Sequence, residues 1–127
     1  MKKKKILVVD DEPYVVRSLI FVLKKEGYLT VSASNGEEAL QKAMTEEPDL
    51  IFLDIMMPKI NGYEVCKRLK EHEKTKGIYI IILTAKGQKE DKMKGVEVGV
   101  NEYITKPFSP SKVIQRMKEI FEDQGIC

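Results

Sequence analysis

The sequence predicts an α/β fold: a doubly wound five-stranded parallel sheet in the order 2-1-3-4-5, with five helices packed on it. Three observations carry that reading. Short apolar runs recur at Ile6–Val9, Leu50–Leu53 and Ile78–Leu83, continuous rather than alternating, as in strands buried on both faces of a parallel sheet. Stretches with apolar residues at helical spacing lie between them, so strand and helix alternate and the crossovers are right-handed. Three of the six aspartates, Asp10, Asp11 and Asp54, stand at the carboxyl ends of such runs, where open α/β sheets gather ligands.

Lys2 to Lys5 form a solvated terminus that leads into the first strand, Ile6–Val9. Asp10-Asp11-Glu12 closes that strand, and Pro13 suits the first turn of a helix whose positive end the acids favour. Val15/Val16, Leu19/Ile20 and Val22/Leu23 give this helix one apolar stripe, and Gly27 ends it. Leu29–Ala33 is a second, weaker strand. Ser34 or Asn35 caps a helix to about Glu46, with Ala39, Leu40, Ala43 and Met44 facing in, and Pro48-Asp49 turns into the third strand, Leu50–Asp54.

A loop through Pro58 and Gly62 leads to a third helix, Tyr63 to about Glu73, with Val65, Cys66 and Leu69 on its inner face. Ile78–Leu83 is the longest β-branched run and ends at Thr84-Ala85-Lys86-Gly87. The next helix, about Lys89 to Val98, is the weakest: its inward set is Met93, Val96 and Val98, and Gly95 in its interior costs about 1 kcal/mol relative to alanine. Glu102–Thr105 is a short fifth strand and Lys106-Pro107-Phe108 a turn. Ser109-Pro110 opens the last helix, with Val113, Ile114, Met117, Ile120 and Phe121 inward.

A chain of 127 residues is one ordinary domain, able to bury a core without disulfide or metal staples. It stops one turn after the last helix, so the expectation is a single domain over 1–127 with no output domain in this chain. Its 22 basic and 20 acidic residues leave a net charge of +2, which gives no footprint for direct nucleic-acid binding. Cys66 and Cys127 form neither a metal pair nor a disulfide framework, and fit a reducing cytoplasm. Asp10 cuts the first apolar run short of a secretory core, and no stretch is long enough to span a membrane.

In the order 2-1-3-4-5, strands one and three are neighbours at the switch point, which brings Asp10 and Asp11 beside Asp54, with Thr84 and Lys106 ending the next two strands. Each residue alone has a plain reading: Asp54 a turn initiator, Asp10 and Asp11 helix-end acids, Thr84 and Lys106 strand-end residues. Together they define a chemistry. Three close carboxylates repel unless a cation sits among them, and an all-oxygen donor set with no nearby cysteine and with His72 on the third helix favours Mg²⁺ over zinc. Thr84 offers a hydroxyl and Lys106 a positive charge, which suit a phosphoryl group, and Asp54 is then the nucleophile that forms an acyl phosphate.

At these residues the chain resembles a two-component response-regulator receiver domain, of the flavodoxin-like, CheY-like architecture. The likeness is carried by Val8-Val9-Asp10-Asp11-Glu12, Leu53-Asp54-Ile55-Met56-Met57-Pro58 with Gly62, Leu83-Thr84-Ala85, and Tyr103-Ile104-Thr105-Lys106-Pro107-Phe108, in that order. The resemblance implies that Asp54 accepts phosphate from a histidine kinase or phosphotransfer protein. It implies that Asp11, Asp54 and the Met56 backbone carbonyl ligate Mg²⁺, with Asp10 acting through bound water, and that Lys106-Pro107 is cis. It makes Thr84 and Tyr103 a switch pair that biases the face formed by the fourth helix, fifth strand and fifth helix, so that the domain controls a partner or output domain rather than turning over a substrate. Met56 and Lys86 flank the entrance for attacking water. The last helix lacks an arginine-rich close, which leaves monomer and phosphorylation-dependent dimer both open.

Two readings from other classes fit less well. A phosphatase of the haloacid-dehalogenase type needs a second acid two residues after the nucleophile, where this chain has Met56, and a flavodoxin-like binding module needs a phosphate-cradling loop where this chain has Asp10-Asp11-Glu12.

Overall fold

Strand β1 (Lys5–Val9) lies between β2 (Leu29–Ala33) and β3 (Leu50–Asp54), and β4 (Tyr79–Ala85) and β5 (Glu102–Lys106) complete a five-stranded sheet in the order β2-β1-β3-β4-β5. All neighbouring strands are parallel. The helices are α1 (Pro13–Lys25), α2 (Gly36–Glu46), α3 (Gly62–Glu71), α4 (Lys92–Val98) and α5 (Pro110–Asp123). The structure is a computed structural model and describes residues 3–57, 59–85 and 92–123. Architecture and strand order are those expected from the sequence.

The two-residue period of the strands divides the core. Leu7, Val9, Ile51, Leu53, Ile80 and Ile82 pack with Ala39, Ala43, Val65, Cys66, Leu69 and Val98 on the side of α2, α3 and α4. Ile6, Val8, Leu50, Phe52, Ile81 and Leu83 point the other way, onto Leu19 and Leu23 of α1 and Val113 and Met117 of α5. β3 is buried along its whole length, so Asp54 leaves the core from a strand covered on both faces. The registers Val9↔Leu53, Asp54↔Leu83 and Ala85↔Lys106 align the carboxyl ends of four strands along one edge.

Local signals set most of the boundaries. Asn35 caps α2 by accepting from the Glu38 amide at 2.9 Å, while the Glu38 carboxylate accepts from the Ser34 amide at 2.7 Å. Asn61 does the same for α3, accepting from the Glu64 amide at 3.0 Å, so that α3 starts at Gly62, one residue before the expected Tyr63. β4 and β5 run further than expected, so Thr84 and Lys106 lie within strands rather than after them.

Val96 corrects the reading of α4. Expected inward, it is 82% exposed, whereas Gly95 and Val98, three residues apart, face the core. The seven described residues of α4 give too few turns for a sequence stripe to fix its face, and the contacts of Gly95 fix it instead. The expected start of this helix at Lys89 and the role given to Lys86 lie outside the described residues, as do Pro58, Cys127 and the Met93 side chain. Among the described residues, no helix is long and apolar enough to cross a membrane.

Candidate functional site

Asp10 follows β1 and is buried, its amide donating to the Ala33 carbonyl of β2 at 3.3 Å. One of its carboxylate oxygens accepts from the Glu12 amide at 3.0 Å and the other from the Lys106 ammonium at 3.0 Å. Asp54 ends β3, 5% exposed, with the Met56 amide 3.4 Å from Oδ1 and Lys106 Nζ 3.8 Å from Oδ2. Asp11 stands exposed at the rim. The three aspartates offer carboxylate oxygens that all lie within 4.8 Å of one another. Gly62 lets the first turn of α3 close over this edge, since a Cβ there would stand 2.6 Å from the Asp54 carbonyl oxygen.

Crowding and burial make the site electrostatically unusual. Burial pushes the Asp54 carboxyl up, the charge of Asp10 adds to it, and its pKa rises to about 7 despite Lys106 and the Met56 amide. Asp10 is also raised, by burial first, with the Glu12 amide and Lys106 opposing. Burial alone would lower the Lys106 ammonium, yet its hydrogen bonds to Glu12 and Asp10 outweigh that and hold it at about 12. Lys106 alone therefore neutralises only part of the acidic edge. Oxygen donors alone, on a buried floor with an exposed rim, fit a hard divalent cation.

The structure brings Asp10, Asp11, Asp54 and Lys106 together, while Thr84 and Tyr103 are engaged elsewhere. Thr84 is buried in β4, and its hydroxyl donates to that of Thr105 on β5 at 3.5 Å. Tyr103 is half-buried against the α2–α4 side of the core, its hydroxyl 3.3 Å from that of Tyr63. The Lys106–Pro107 peptide is cis. His72 is exposed after α3, its Nδ1 accepting from the Lys74 amide at 3.2 Å.

Sequence reasoning missed two participants. Glu12, read as part of an acidic helix start, reaches Lys106 Nζ at 3.0 Å, and Tyr14 donates its hydroxyl to the other Glu12 oxygen at 2.6 Å. These two hydrogen bonds hold the Glu12 carboxyl below its usual range, Tyr14 contributing more than Lys106. With Val15, Ala85, Lys106 and Phe108 they line a cleft of about 370 Å³ that opens beside the ammonium. The signal was faint: a third acid after an acid pair, at a strand end that faces the end of β5.

Residues 6–118 match the family model described as the response regulator receiver domain. The chain is 52% identical over 124 residues to the alkaline phosphatase synthesis transcriptional regulatory protein PhoP of Bacillus subtilis, covering 98% of this chain and 51% of that protein. It is 42% identical over 125 residues to the phosphate regulon transcriptional regulatory protein PhoB of Pseudomonas aeruginosa, covering 98% of this chain and 55% of that protein. The chain thus spans about half the length of the curated relatives it matches. Among solved structures, a response regulator from Chloroflexus aurantiacus superposes with a TM-score of 0.87 at 40% identity, over 95% of this chain and 99% of that one. The chemotaxis response regulator CheY4 of Vibrio cholerae gives 0.86 at 30% identity, over 94% and 99%. With the strand order, the acidic edge and a family match over nearly its whole length in agreement, the chain belongs to the response regulator receiver domains, the phosphoacceptor modules of two-component signalling.

Proposed function

We propose that Asp54 is the phosphoacceptor of this receiver domain, and that it takes a phosphoryl group from the phosphohistidine of a histidine kinase or phosphotransfer protein. One observation carries the reading: three carboxylates within 4.8 Å of one another, with Lys106 3.8 Å from Asp54, at the carboxyl end of the central strands. Asp10, Asp11, Asp54 and the Met56 backbone carbonyl would hold Mg²⁺, which when bound neutralises the acids and the oxygens of the incoming phosphoryl group.

An Asp54 carboxylate oxygen attacks phosphorus in line. The P–N bond breaks, its electron pair returns to the imidazole ring, and Asp54 is left as an acyl phosphate. Lys106 has three N–H donors and two short partners, Asp10 and Glu12, so its third donor is available to a phosphoryl oxygen near Asp54. Thr84 would exchange its bond to Thr105 for one to the phosphoryl group, and Tyr103 would turn inward into the space it leaves. The contacts of Thr84 and Lys106 differ between the two forms, and that difference biases the face of α4, β5 and α5.

Residues 1–127 act in this reading as one signalling domain of the cytoplasm, a monomer or phosphorylation-dependent dimer, promoting its own phosphorylation and dephosphorylation without turning over an external substrate. The names of PhoP, PhoB and ResD support transcriptional regulation as the larger setting. The test is intact mass after incubation with a small acyl-phosphate donor and Mg²⁺, beside Asp54→Ala and a chelator control. A gain of one phosphoryl group that needs both Asp54 and metal is expected; no gain with any acyl-phosphate or phosphoramidate donor overturns the reading.

A further inference from the structure

We propose that Gly95 and Tyr63 form a slot that seats the Tyr103 ring between α3 and α4, and that these two residues position the Tyr103 switch. The role rests on the reading of Tyr103 given above, whereas the slot itself stands on its own contacts.

Gly95 is the residue the sequence does not explain. It sits inside α4, where alanine would be more favourable by about 1 kcal/mol. The structure supplies a reason. A Cβ at position 95 would overlap the Tyr103 hydroxyl and stand 3.0 Å from Cζ of the same ring. The missing side chain is therefore the space in which the end of the Tyr103 ring lies. The Tyr63 hydroxyl meets the Tyr103 hydroxyl at 3.3 Å from the α3 side, and Tyr63 itself is buried.

The frame around this slot is tied at several points. The Gly95 carbonyl accepts from the Gly99 amide at 3.0 Å and the Val100 amide at 2.8 Å, which ends α4 in a left-handed turn at Gly99, φ 90°. The Cys66 thiol of α3 donates to the Val98 carbonyl at 3.4 Å, so the end of α4 is held against α3. Tyr63 follows Gly62, whose amide donates to the Ile55 carbonyl at 2.9 Å and whose Cα faces the Asp54 carbonyl. Covalent neighbours thus link the acidic edge to the partner of the Tyr103 hydroxyl, apart from any movement of Thr84. Because Gly95 and Tyr63 stand on α4 and α3 rather than among the aspartates, the slot favours the inward Tyr103 ring before Asp54 is phosphorylated, and a phosphoryl group need supply only the remaining difference.

The experiment compares wild type, Gly95→Ala and Tyr63→Phe over 1–127. Gly95→Ala raises helix propensity, so circular dichroism should match wild type, and Tyr63→Phe keeps the packing while deleting one hydroxyl. The first readout is nuclear Overhauser contact from the Tyr103 ring to the α-protons of residue 95 and to the ring of residue 63. The second is the midpoint for binding beryllofluoride, a phosphoryl analogue, in excess Mg²⁺. In Gly95→Ala the ring contacts are expected to vanish and the midpoint to weaken by roughly three- to ten-fold, with a smaller shift in the same direction for Tyr63→Phe. Retention of the ring contacts in Gly95→Ala would overturn the slot. Loss of contacts with an unchanged midpoint would overturn the positioning role and the switch reading of Tyr103 with it. Failure of wild type to bind the analogue would overturn the phosphoacceptor reading, and the ring contacts would still decide the slot.

Discussion

The two ends of the sheet are built from the same strands and treat polar groups in opposite ways. At the amino end Asp49, Lys70, Thr75 and Asn101 serve groups that need them. Asp49 accepts the Lys5 amide at 2.8 Å, and Asn101 accepts the Ile80 amide at 2.8 Å and the Lys70 ammonium at 3.1 Å. Lys70 also donates to the Ile78 carbonyl at 2.7 Å, and Thr75 donates to the Leu69 carbonyl at 2.7 Å. At the carboxyl end, Asp10, Asp11 and Asp54 crowd one another beside the Lys106 ammonium, and the pKa of Asp54 rises to about 7. One end closes strand ends and loops. The other holds repulsion in place at the end of β3, which is buried throughout. Cohesion and reactivity are thereby separated along the length of the same five-residue strand.

The largest effect that would sharpen this contrast is functional. Lys106→Ala should still take up a phosphoryl group by intact mass, yet the amide shifts of α4, β5 and α5 should stay at their unphosphorylated positions. A wild-type pattern of shifts in the phosphorylated variant would remove Lys106 from the switch.

The next effect is on stability and has opposite signs at the two ends. The folded pKa of Asp54, about 7, lies above its ordinary value of 3.8, so the native state binds this proton more tightly than the unfolded chain does. The penalty for ionising Asp54 is absent below about pH 4, grows between pH 4 and 7, and is full above pH 7. Asp54→Asn should therefore stabilise the metal-free protein by roughly 2–4 kcal/mol at pH 8 and by almost nothing near pH 4, read from urea unfolding with a chelator present. A gain that does not depend on pH would mean that repulsion is not its source. Asn101→Ala, at the cohesive end, should destabilise by about 1–3 kcal/mol, because the Ile80 amide and Lys70 lose their shared acceptor. The smallest effect belongs to neither end. Arg68→Ala breaks an exposed i,i+4 pair with Glu64 at 3.0 Å on α3 and should leave the melting temperature within error of wild type.

What was legible in the sequence follows the same division. The strands could be read because continuous apolar runs such as Leu50–Leu53 have one low-energy destination, the middle of a parallel sheet. Asp54 could be read because a carboxylate at the end of such a run must sit at the sheet edge. Pairings across long separations could not. Glu12 and Lys106 lie 94 residues apart and Tyr63 and Tyr103 lie 40 apart, and whether they meet depends on side-chain reach rather than on any local pattern. Val96 faces out for a related reason: the face of α4 is set by what packs on Gly95, a tertiary fact. The extension of β4 through Thr84 likewise rests on its pairing with Thr105, which propensity alone does not contain.

The most direct measurement is to reduce the protein with borohydride after exposure to an acyl-phosphate donor and Mg²⁺, which converts an acyl phosphate to an alcohol, and to locate the product by peptide mass spectrometry. The predicted result is a single reduced position, Asp54, absent when the metal is chelated. Reduction at Asp10 or Asp11, or a phosphoryl group on a serine or threonine with Asp54 untouched, would contradict the assignment of the acidic edge as a site built around Asp54.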